Sequence, residues 1–345
     1  MDRTQENIQH YVSFIASMCE NENLKHFNCE ALAKVVEYGS RLADNQYKLS
    51  TRFNIVSEIV YEASALAEIE NSEYVDAKHV NEAIKNKKYR SNRIEEKMQE
   101  QILNKKVLID TKGEVVGQVN GLSVMGVSDY SFGLPSRITA RTYTGREGII
   151  NIERETKMSG NIHSKGVLTL NGYLGGKFAQ EKQLGLTAQV TFEQLYGGVE
   201  GDSASSTELY AILSSLSDVP IKQSLAVTGS VNQREIQPIG GVNEKIEGFF
   251  DICSLNGLTG DQGVIIPQSN IDNLMLKDEV IEAVNSNQFH IYAVKKIEEG
   301  IEILTGVKAG EKDIYGEYEK DSVFYLANNK INEFNKVLTT SEEGA

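Results

Sequence analysis

The chain has 345 residues, enough for two or three domains, and its 40% hydrophobic and 24% charged residues are ordinary for a folded protein. The formal net charge of −14 argues against nucleic acid as a main partner, because neutralising phosphates requires clustered Lys and Arg. No apolar run of about 18 residues occurs and the N-terminus is polar, so the sequence predicts neither a membrane span nor a signal peptide.

The cysteines and histidines indicate neither a disulfide framework nor a metal site. Cys19, Cys29 and Cys253 show no CxxC spacing and no even-numbered framework, which suits a protein of the reducing cytosol. None of them lies in the Gly-rich turn expected around a thiol nucleophile. The five histidines include no pair at ligand spacing. We therefore expect a cytoplasmic protein that holds no metal ion in this chain.

Residues 1–102 are predicted to be helical. Apolar residues recur at helical spacing through this region, no proline occurs before Pro135, and Asp76 is suited to the start of a helix. The charged segment 93–102 predicts a linking helix. The sequence therefore predicts an all-helical first domain.

From residue 103 onward the hydrophobic period changes. Two apolar segments flank Thr111-Lys112-Gly113 and predict a β-hairpin across 106–119. Further strands are predicted at 136–143, 149–153, 186–192, 223–229, 263–267 and 290–294, and helices at 166–178, 205–215 and 243–255. The pattern predicts an α+β protein with an α/β second domain at 103–310, then a polar extension at 311–345 with helical stretches and a disordered end.

One glycine-rich segment has the pattern of a nucleophile loop. Gly197, Gly198 and Gly201 precede Ser203, and a helix-compatible run follows. Glycines permit positive φ and close approach of a substrate, and the amide N–H groups at a helix N-terminus can bind an oxyanion. By itself, such a segment is more often a simple helix N-cap.

A second segment supplies a candidate base. Residues 237–248 predict a tight turn that leads into a helix with Lys245 near its start. The helix dipole and partial burial both disfavour an ammonium there, so the pKa of the lysine should fall. Because a serine hydroxyl needs a base to become a nucleophile, we predict a catalytic dyad of Ser203 and Lys245.

These two segments together resemble the Lon protease family. Residues 200–205 (Glu-Gly-Asp-Ser-Ala-Ser) are similar to the nucleophile motif of the B-type Lon enzymes, with Asp202 where the A-type motif has proline, and residues 238–245 resemble the Lon lysine motif. The resemblance covers roughly residues 105–306. Supporting similarities lie at 160–163, 228–232, 257–260 and 264–267. The resemblance implies a cytoplasmic serine endopeptidase that hydrolyses unfolded or damaged proteins in a homohexameric ring.

The resemblance also implies roles for supporting residues. Thr228 would help to orient the lysine amine. Glu200 would pair with Lys245, keep it protonated at rest and have to move away for activity. The turn at 232–235 is one residue shorter than the family's usual turn and lacks its glycine, so we expect an altered hairpin with intact chemistry.

The N-terminal helices resemble the lid domain of an AAA+ ATPase. Arg52 is similar to the sensor-2 arginine that contacts a nucleotide γ-phosphate, although an exposed helical arginine would look the same. No G-x-x-x-x-G-K-[ST] loop occurs, and Gly175-Gly176-Lys177-Phe178 fails on spacing and on the final hydroxyl. We therefore expect this chain alone to bind neither ATP nor Mg²⁺. We also expect the chain to be either the C-terminal part of a Lon-type protein or a shortened gene product.

Two alternatives belong to other classes of function. The chain could be a non-catalytic assembly or binding module that retains the peptidase fold, but the intact pair of Ser203 and Lys245 argues against this. It could be a nucleotide-dependent remodelling protein, but the missing phosphate-binding loop argues against that.

Overall fold

The computed structural model describes residues 1–127 and 130–343. Contacts within the chain divide it into two compact units, each with its own hydrophobic core. The first unit consists mainly of Met1–Gln99, and the second of Glu100–Met125, Ser131–Ile271 and the described residues from Asp278 onward.

The first unit is built from helices α1 (Gln5–Asn21), α2 (Cys29–Arg41), α3 (Phe53–Ile69), α4 (Ala77–Ser91) and most of α5 (Arg93–Leu103). Polar residues begin several of them; at α2, for example, the side chain of Asn28 accepts a hydrogen bond from the Ala31 N–H. Each amphipathic helix turns its apolar face inward, and the core contains Tyr11, Val35, Ile59 and Val80. The predicted helical first domain is confirmed.

The strands belong chiefly to the second unit. They are β1 (Glu114–Val115), β2 (Gln118–Val127), β3 (Tyr130–Thr144), β4 (Gly148–Asn151), β5 (Leu186–Phe192), β6 (Ile221–Lys222), β7 (Leu225–Val227), β8 (Ser230–Val231), β9 (Ile236–Gln237), β10 (Gly263–Pro267) and β11 (His290–Val294). Seven form one sheet in the order β11–β10–β7–β2–β3–β5–β4, while β8 pairs with β9 and β1 with β6. The large sheet is mixed, because β10 runs parallel to β7 and β11 whereas β3 runs antiparallel to β5.

Helices cover this sheet. They are α6 (Ile152–Glu155), α7 (Asn161–Phe178), α8 (Ser205–Ser217), α9 (Val242–Leu255), α10 (Asp278–Asn285), α11 (Ile297–Thr305) and α12 (Val323–Glu343), with a 3₁₀ helix at Gln268–Asn273. Almost every residue of α8 is buried, and α8 packs against α7, α11 and α12. The nucleophile loop therefore leads into the most enclosed helix of the unit.

The C-terminal segment predicted as a polar extension contributes to the core of the second unit. Val323, Phe324 and Ile331 on α12 belong to that core, because one face of this otherwise polar helix is apolar. The predicted disordered end falls partly on residues 344–345, which lie outside the described residues.

The hairpin predicted across 106–119 is wrong. Residues 106–110 form no strand within the described structure, and β1 pairs with β6 instead. The reason is that Asp110 serves as a polar anchor, since its carboxylate accepts hydrogen bonds from the side chains of Gln118 and Arg137. The other predicted helices and strands of this unit are confirmed with shifted ends, although the strand predicted at 223–229 shortens to β7.

Candidate active site

Ser203 lies on a glycine-rich loop that runs directly into α8. Gly198 and Gly201 have φ angles of +88° and +85°, which glycine adopts without strain. The residue Ser203 is partly exposed, whereas the chain is buried from Ala204 onward. A serine in this position can meet a substrate while its backbone is held by the fold.

Backbone hydrogen bonds fix the loop on both sides of Ser203. Upstream, the N–H of Gly160 donates to the carbonyl of Val199 at 2.8 Å. Downstream, the Ser206 N–H donates to the carbonyl of Gly229 at 3.1 Å, and the Gly229 N–H donates to the carbonyl of Ser203 at 2.8 Å. The loop is thus tied to the start of α7 and to the segment that follows β7.

Lys245 lies in the first turns of α9, which begins after Gly241 with a φ of +65°. Its Nζ donates hydrogen bonds to Ser203 Oγ at 2.9 Å and to Thr228 Oγ1 at 3.1 Å. Only 3% of Lys245 is exposed, so little water reaches the ammonium. The structure therefore brings these three predicted site residues together.

Burial lowers the pKa of Lys245 from its ordinary value of 10.5 to about 8, because water no longer solvates the ammonium. The carboxylates of Asp202 and Glu244 oppose this effect by favouring the charged form. With a pKa near 8, roughly a tenth of the lysine is neutral at pH 7. A neutral amine at hydrogen-bonding distance from a serine hydroxyl can accept its proton.

Thr228 and Asp202 fix the surroundings of this pair. The hydroxyl of Thr228 accepts from Lys245 and lies 3.3 Å from the carbonyl oxygen of Ser203, to which it donates. The carboxylate of Asp202 accepts a hydrogen bond of 2.7 Å from Ser230 Oγ. Both predicted supporting residues therefore lie at the site, Thr228 in direct contact with the amine and Asp202 acting on it through its charge.

Glu200 occupies a different position from the one expected. Its carboxylate accepts hydrogen bonds from the Ile162 N–H at 3.3 Å and the Gly201 N–H at 3.1 Å. Among the described residues it forms no salt bridge with Lys245, so the expected resting pair is not seen here. The physical reason is that the start of α7 offers unpaired amides and the positive end of the helix dipole. Gly160 at that helix start leaves room for the carboxylate.

Two amide groups beside Ser203 are candidate oxyanion donors. The N–H groups of Ser203 and Ala204 donate to no acceptor in the described part of the chain, whereas the N–H of Ser205 is bonded to the Asp202 carbonyl. They lie at the N-terminus of α8, where the helix dipole favours negative charge. These amides could receive an oxyanion without first losing another partner.

A buried polar cluster beside the loop was not found from the sequence. It consists of Asn151, Glu153, His163 and Glu208, none of them more than 1% exposed. Glu208 falls near the start of a helix, where an acidic residue is ordinarily solvated, so the pattern gave no signal for its burial. The similarity at 160–163, which includes His163, was the only hint.

Arg52 belongs to the first unit and immediately precedes α3. Its guanidinium is exposed and donates a hydrogen bond of 2.8 Å to the carbonyl of Leu42. Among the described residues, no group of three or more His, Cys, Asp or Glu side chains is arranged to hold a metal ion. None of the described helices is both long and apolar enough to cross a membrane.

Two family profiles match the chain. Residues 26–90 match the archaeal LonB AAA+ ATPase lid domain, and residues 197–306 match the C-terminal proteolytic domain of Lon protease (S16). The fold and the site thus define a proteolytic domain that follows an AAA+ lid domain. The chain belongs to the Lon protease family.

Individual relatives agree with this assignment. A putative Lon protease homolog of Escherichia coli K12 is 41% identical over 249 residues, covering 71% of this chain and 42% of the relative. One from Haemophilus influenzae is 36% identical over 86% of this chain and 49% of its own length. An archaeal Lon protease of Halobacterium salinarum is 31% identical over 94% of this chain and 43% of its own. The chain therefore spans less than half the length of these relatives.

Proposed function

We propose that the chain hydrolyses peptide bonds with Ser203 as nucleophile and Lys245 as general base. The observation that carries this proposal is the 2.9 Å hydrogen bond between Lys245 Nζ and Ser203 Oγ, in a site where burial lowers the pKa of the lysine to about 8. A lysine with its ordinary pKa would be almost fully protonated at neutral pH and could not act as a base.

The proposed reaction has two halves. Neutral Lys245 accepts the hydroxyl proton as Ser203 Oγ attacks the carbonyl carbon of the scissile bond. The lysine then gives this proton to the departing amine, and the acyl group stays on Ser203 as an ester. Water then gives a proton to Lys245 and attacks the ester carbonyl, and the lysine returns that proton to Ser203 Oγ as the acyl group leaves as an acid.

The negative charge that develops on the substrate oxygen needs donors. The N–H groups of Ser203 and Ala204 at the start of α8 support this role, because they have no acceptor in the described part of the chain. Donors already fixed in place stabilise a transition state without reorganisation, and each is worth about 3 kcal/mol in comparable sites.

An exposed strand edge near Lys245 supports binding of an extended peptide. The register between β2 and β7 pairs only Asn120 and Gly121 with β7, after which β7 ends and the chain turns to Thr228. Farther along β2, Val124 and Met125 are 39% and 38% exposed, and the side chain of Val124 lies against Gly241 at the start of α9. A peptide could add to this open edge through main-chain hydrogen bonds.

The family supports wider proposals. We propose unfolded polypeptides as substrates, a homohexameric assembly and a cytoplasmic location, since the resemblance implies them. ATP and Mg²⁺ do not fit the residues of this chain alone, because Arg52 is an isolated exposed arginine bonded to a backbone carbonyl and no phosphate-binding loop is in the sequence. Peptide cleavage by this chain should therefore proceed without nucleotide, and the purified chain should not turn over ATP.

Covalent labelling tests the proposal. An apolar β-lactone acylates activated serine hydroxyls by ring opening, which leaves an ester on the oxygen. Intact mass and peptide mapping of the treated protein should show one adduct, on Ser203, and none in Ser203→Ala. An unlabelled wild-type protein that also fails to cleave peptides would contradict the assignment and favour the non-catalytic assembly module.

A further inference from the structure

The buried cluster beside the nucleophile loop takes no part in the proposed proton transfer. Three of its atoms, Nε2 of His163, Oε2 of Glu208 and Oε2 of Glu153, have no hydrogen-bond partner among the described residues. Burying such groups is costly, and replacing buried ionic groups with apolar side chains of similar size often leaves stability unchanged or raises it. The cluster therefore needs a reason other than stability.

One end of the cluster reaches the upstream side of the loop. Ser159 Oγ lies 2.7 Å from His163 Nδ1, at hydrogen-bonding distance. Ser159 is also the bridge partner of Val199, four residues before the nucleophile. The imidazole is further enclosed by Phe192, whose ring meets it edge-on with centroids 5.5 Å apart. His163 thus fixes the segment to which the upstream flank is attached.

The other end reaches the downstream side. Nε2 of His163 lies 3.5 Å from Oε1 of Glu208, which is on α8 five residues after Ser203. Asn151 Nδ2 donates a hydrogen bond of 2.9 Å to the same oxygen. Burial raises the pKa of Glu208, and His163 opposes that shift. The pair of His163 and Glu208 therefore spans the two flanks of the loop.

We propose that His163 and Glu208 are positioning residues for the reaction, which hold the two flanks of the nucleophile loop so that Ser203 Oγ stays within hydrogen-bonding distance of Lys245 Nζ. This inference rests on the proposed function of Ser203. Small displacements matter here, because misplacing a reacting group by about 1 Å can reduce a rate by about a hundredfold.

The test measures acylation of Ser203 by the β-lactone in the full chain. Glu208→Gln keeps the size and one acceptor oxygen but removes the charge, and His163→Leu removes both polar contacts. Each should lower the maximal acylation rate constant by about ten- to a hundredfold without lowering the thermal midpoint, and should leave the half-saturating lactone concentration and the pH midpoint of the reaction unchanged. His163→Gln, which can keep one hydrogen bond, should recover most of the rate.

Glu153→Gln is the matched control. Glu153 is equally buried in the same cluster, but its Oε1 accepts from the N–H of Phe192 and the hydroxyl of Thr191, both on β5, rather than from Ser159 or α8. This variant should acylate within about twofold of wild type.

Wild-type rates in both Glu208→Gln and His163→Leu would overturn the inference, as would an equal loss in Glu153→Gln. Failure of wild type itself to acylate at Ser203 would instead overturn the proposed function and this inference with it. Should His163→Leu fail to fold, the isosteric Glu208→Gln still decides.

Discussion

Charged side chains lie in different surroundings in the two units of the chain. In the helical unit, the guanidinium of Arg90 forms two hydrogen bonds of 2.6 and 2.7 Å with Glu62, and the Arg90 side chain is 57% exposed. In the second unit, Lys245 is 3% exposed and Glu208 only 1%. Solvated pairs contribute about 0–1 kcal/mol, whereas a buried charge costs several kcal/mol unless it is compensated.

Burial of Lys245 works against folding, yet it supplies the lowered pKa that a general base requires. The Arg90–Glu62 pair is more exposed to water and therefore carries a smaller cost of this kind. Substitutions at Ser203, Lys245 and Arg90 should therefore differ widely in their effects.

Removing the nucleophile should have the largest effect. Ser203→Ala should lower peptide cleavage by at least about a thousandfold, because no other group replaces the attacking oxygen. Thermal stability should change little, since Ser203 is partly exposed and the Lys245 amine keeps its hydrogen bond to Thr228. Ser206→Ala is the matched control, because the Ser206 hydroxyl has no partner among the described residues, and it should cleave like wild type. Full activity of pure Ser203→Ala would remove Ser203 from the mechanism.

Replacing Lys245 should lower the rate of peptide cleavage nearly as much, whatever the charge of the new side chain. Lys245→Arg keeps a cation, but guanidinium stays protonated and cannot accept a proton. We expect Lys245→Arg and Lys245→Ala to lose at least about a hundredfold each in kcat. Steady-state cleavage of a fluorogenic peptide measures this, and substantial activity in Lys245→Arg would show that another group is the base.

The pH dependence of cleavage should follow the protonation of the Lys245 amine. Because only the neutral amine is active, the rate should rise with pH to a midpoint near 8. Asp202→Asn keeps an acceptor for Ser230 but removes a charge that favours the ammonium, so the midpoint should move below that of wild type. Glu244→Gln should shift it in the same direction by less. Unmoved midpoints in both variants would mean that a different group titrates.

The smallest effect concerns stability. Lys245→Met should raise the free energy of unfolding at pH 7 by about 1–3 kcal/mol, since the wild-type fold holds a buried ammonium with its pKa lowered to about 8. The gain should shrink between pH 8 and 10.5, where the unfolded wild type keeps a proton that the folded form releases. Arg90→Ala, the solvated comparison, should lose no more than about 1 kcal/mol. Denaturant unfolding at several pH values checks both variants. A destabilised Lys245→Met would contradict the claim that the buried ammonium lowers the stability of the fold.

Periodicity predicted most helices and strands because their apolar residues record which face is buried. Apolar spacing predicted the helices of the first unit, and short apolar runs predicted β10 and β11. The error across 106–119 arose where a polar side chain decided the structure. Nothing in the local pattern distinguishes an Asp110 that anchors Gln118 and Arg137 from a residue at the end of a strand.

In the site, too, local sequence patterns could be interpreted, whereas contacts between distant segments could not. Ser203 and Lys245 could be proposed because each lies in a distinctive local motif, and the resemblance joined the two motifs. The partner of Glu200 could not be derived, since it is set by the approach of the α7 N-terminus, a contact across 38 residues of sequence. The pairing of His163 with Glu208 has no local signal either, because it depends on two helices meeting in the core.

Direct titration of the lysines tests the central claim. With ¹³C at the ε-carbons of lysine, the chemical shift of each residue reports its own protonation, and Lys245→Met assigns the critical signal by its loss. We predict a pKa near 8 for Lys245, and a value above the ordinary 10.5 for Lys78, whose pKa the carboxylate of Glu70 raises on the surface of the helical unit. A signal of Lys245 that titrates at 10.5 or above would contradict the account, since the amine could not then serve Ser203 as a base near neutral pH.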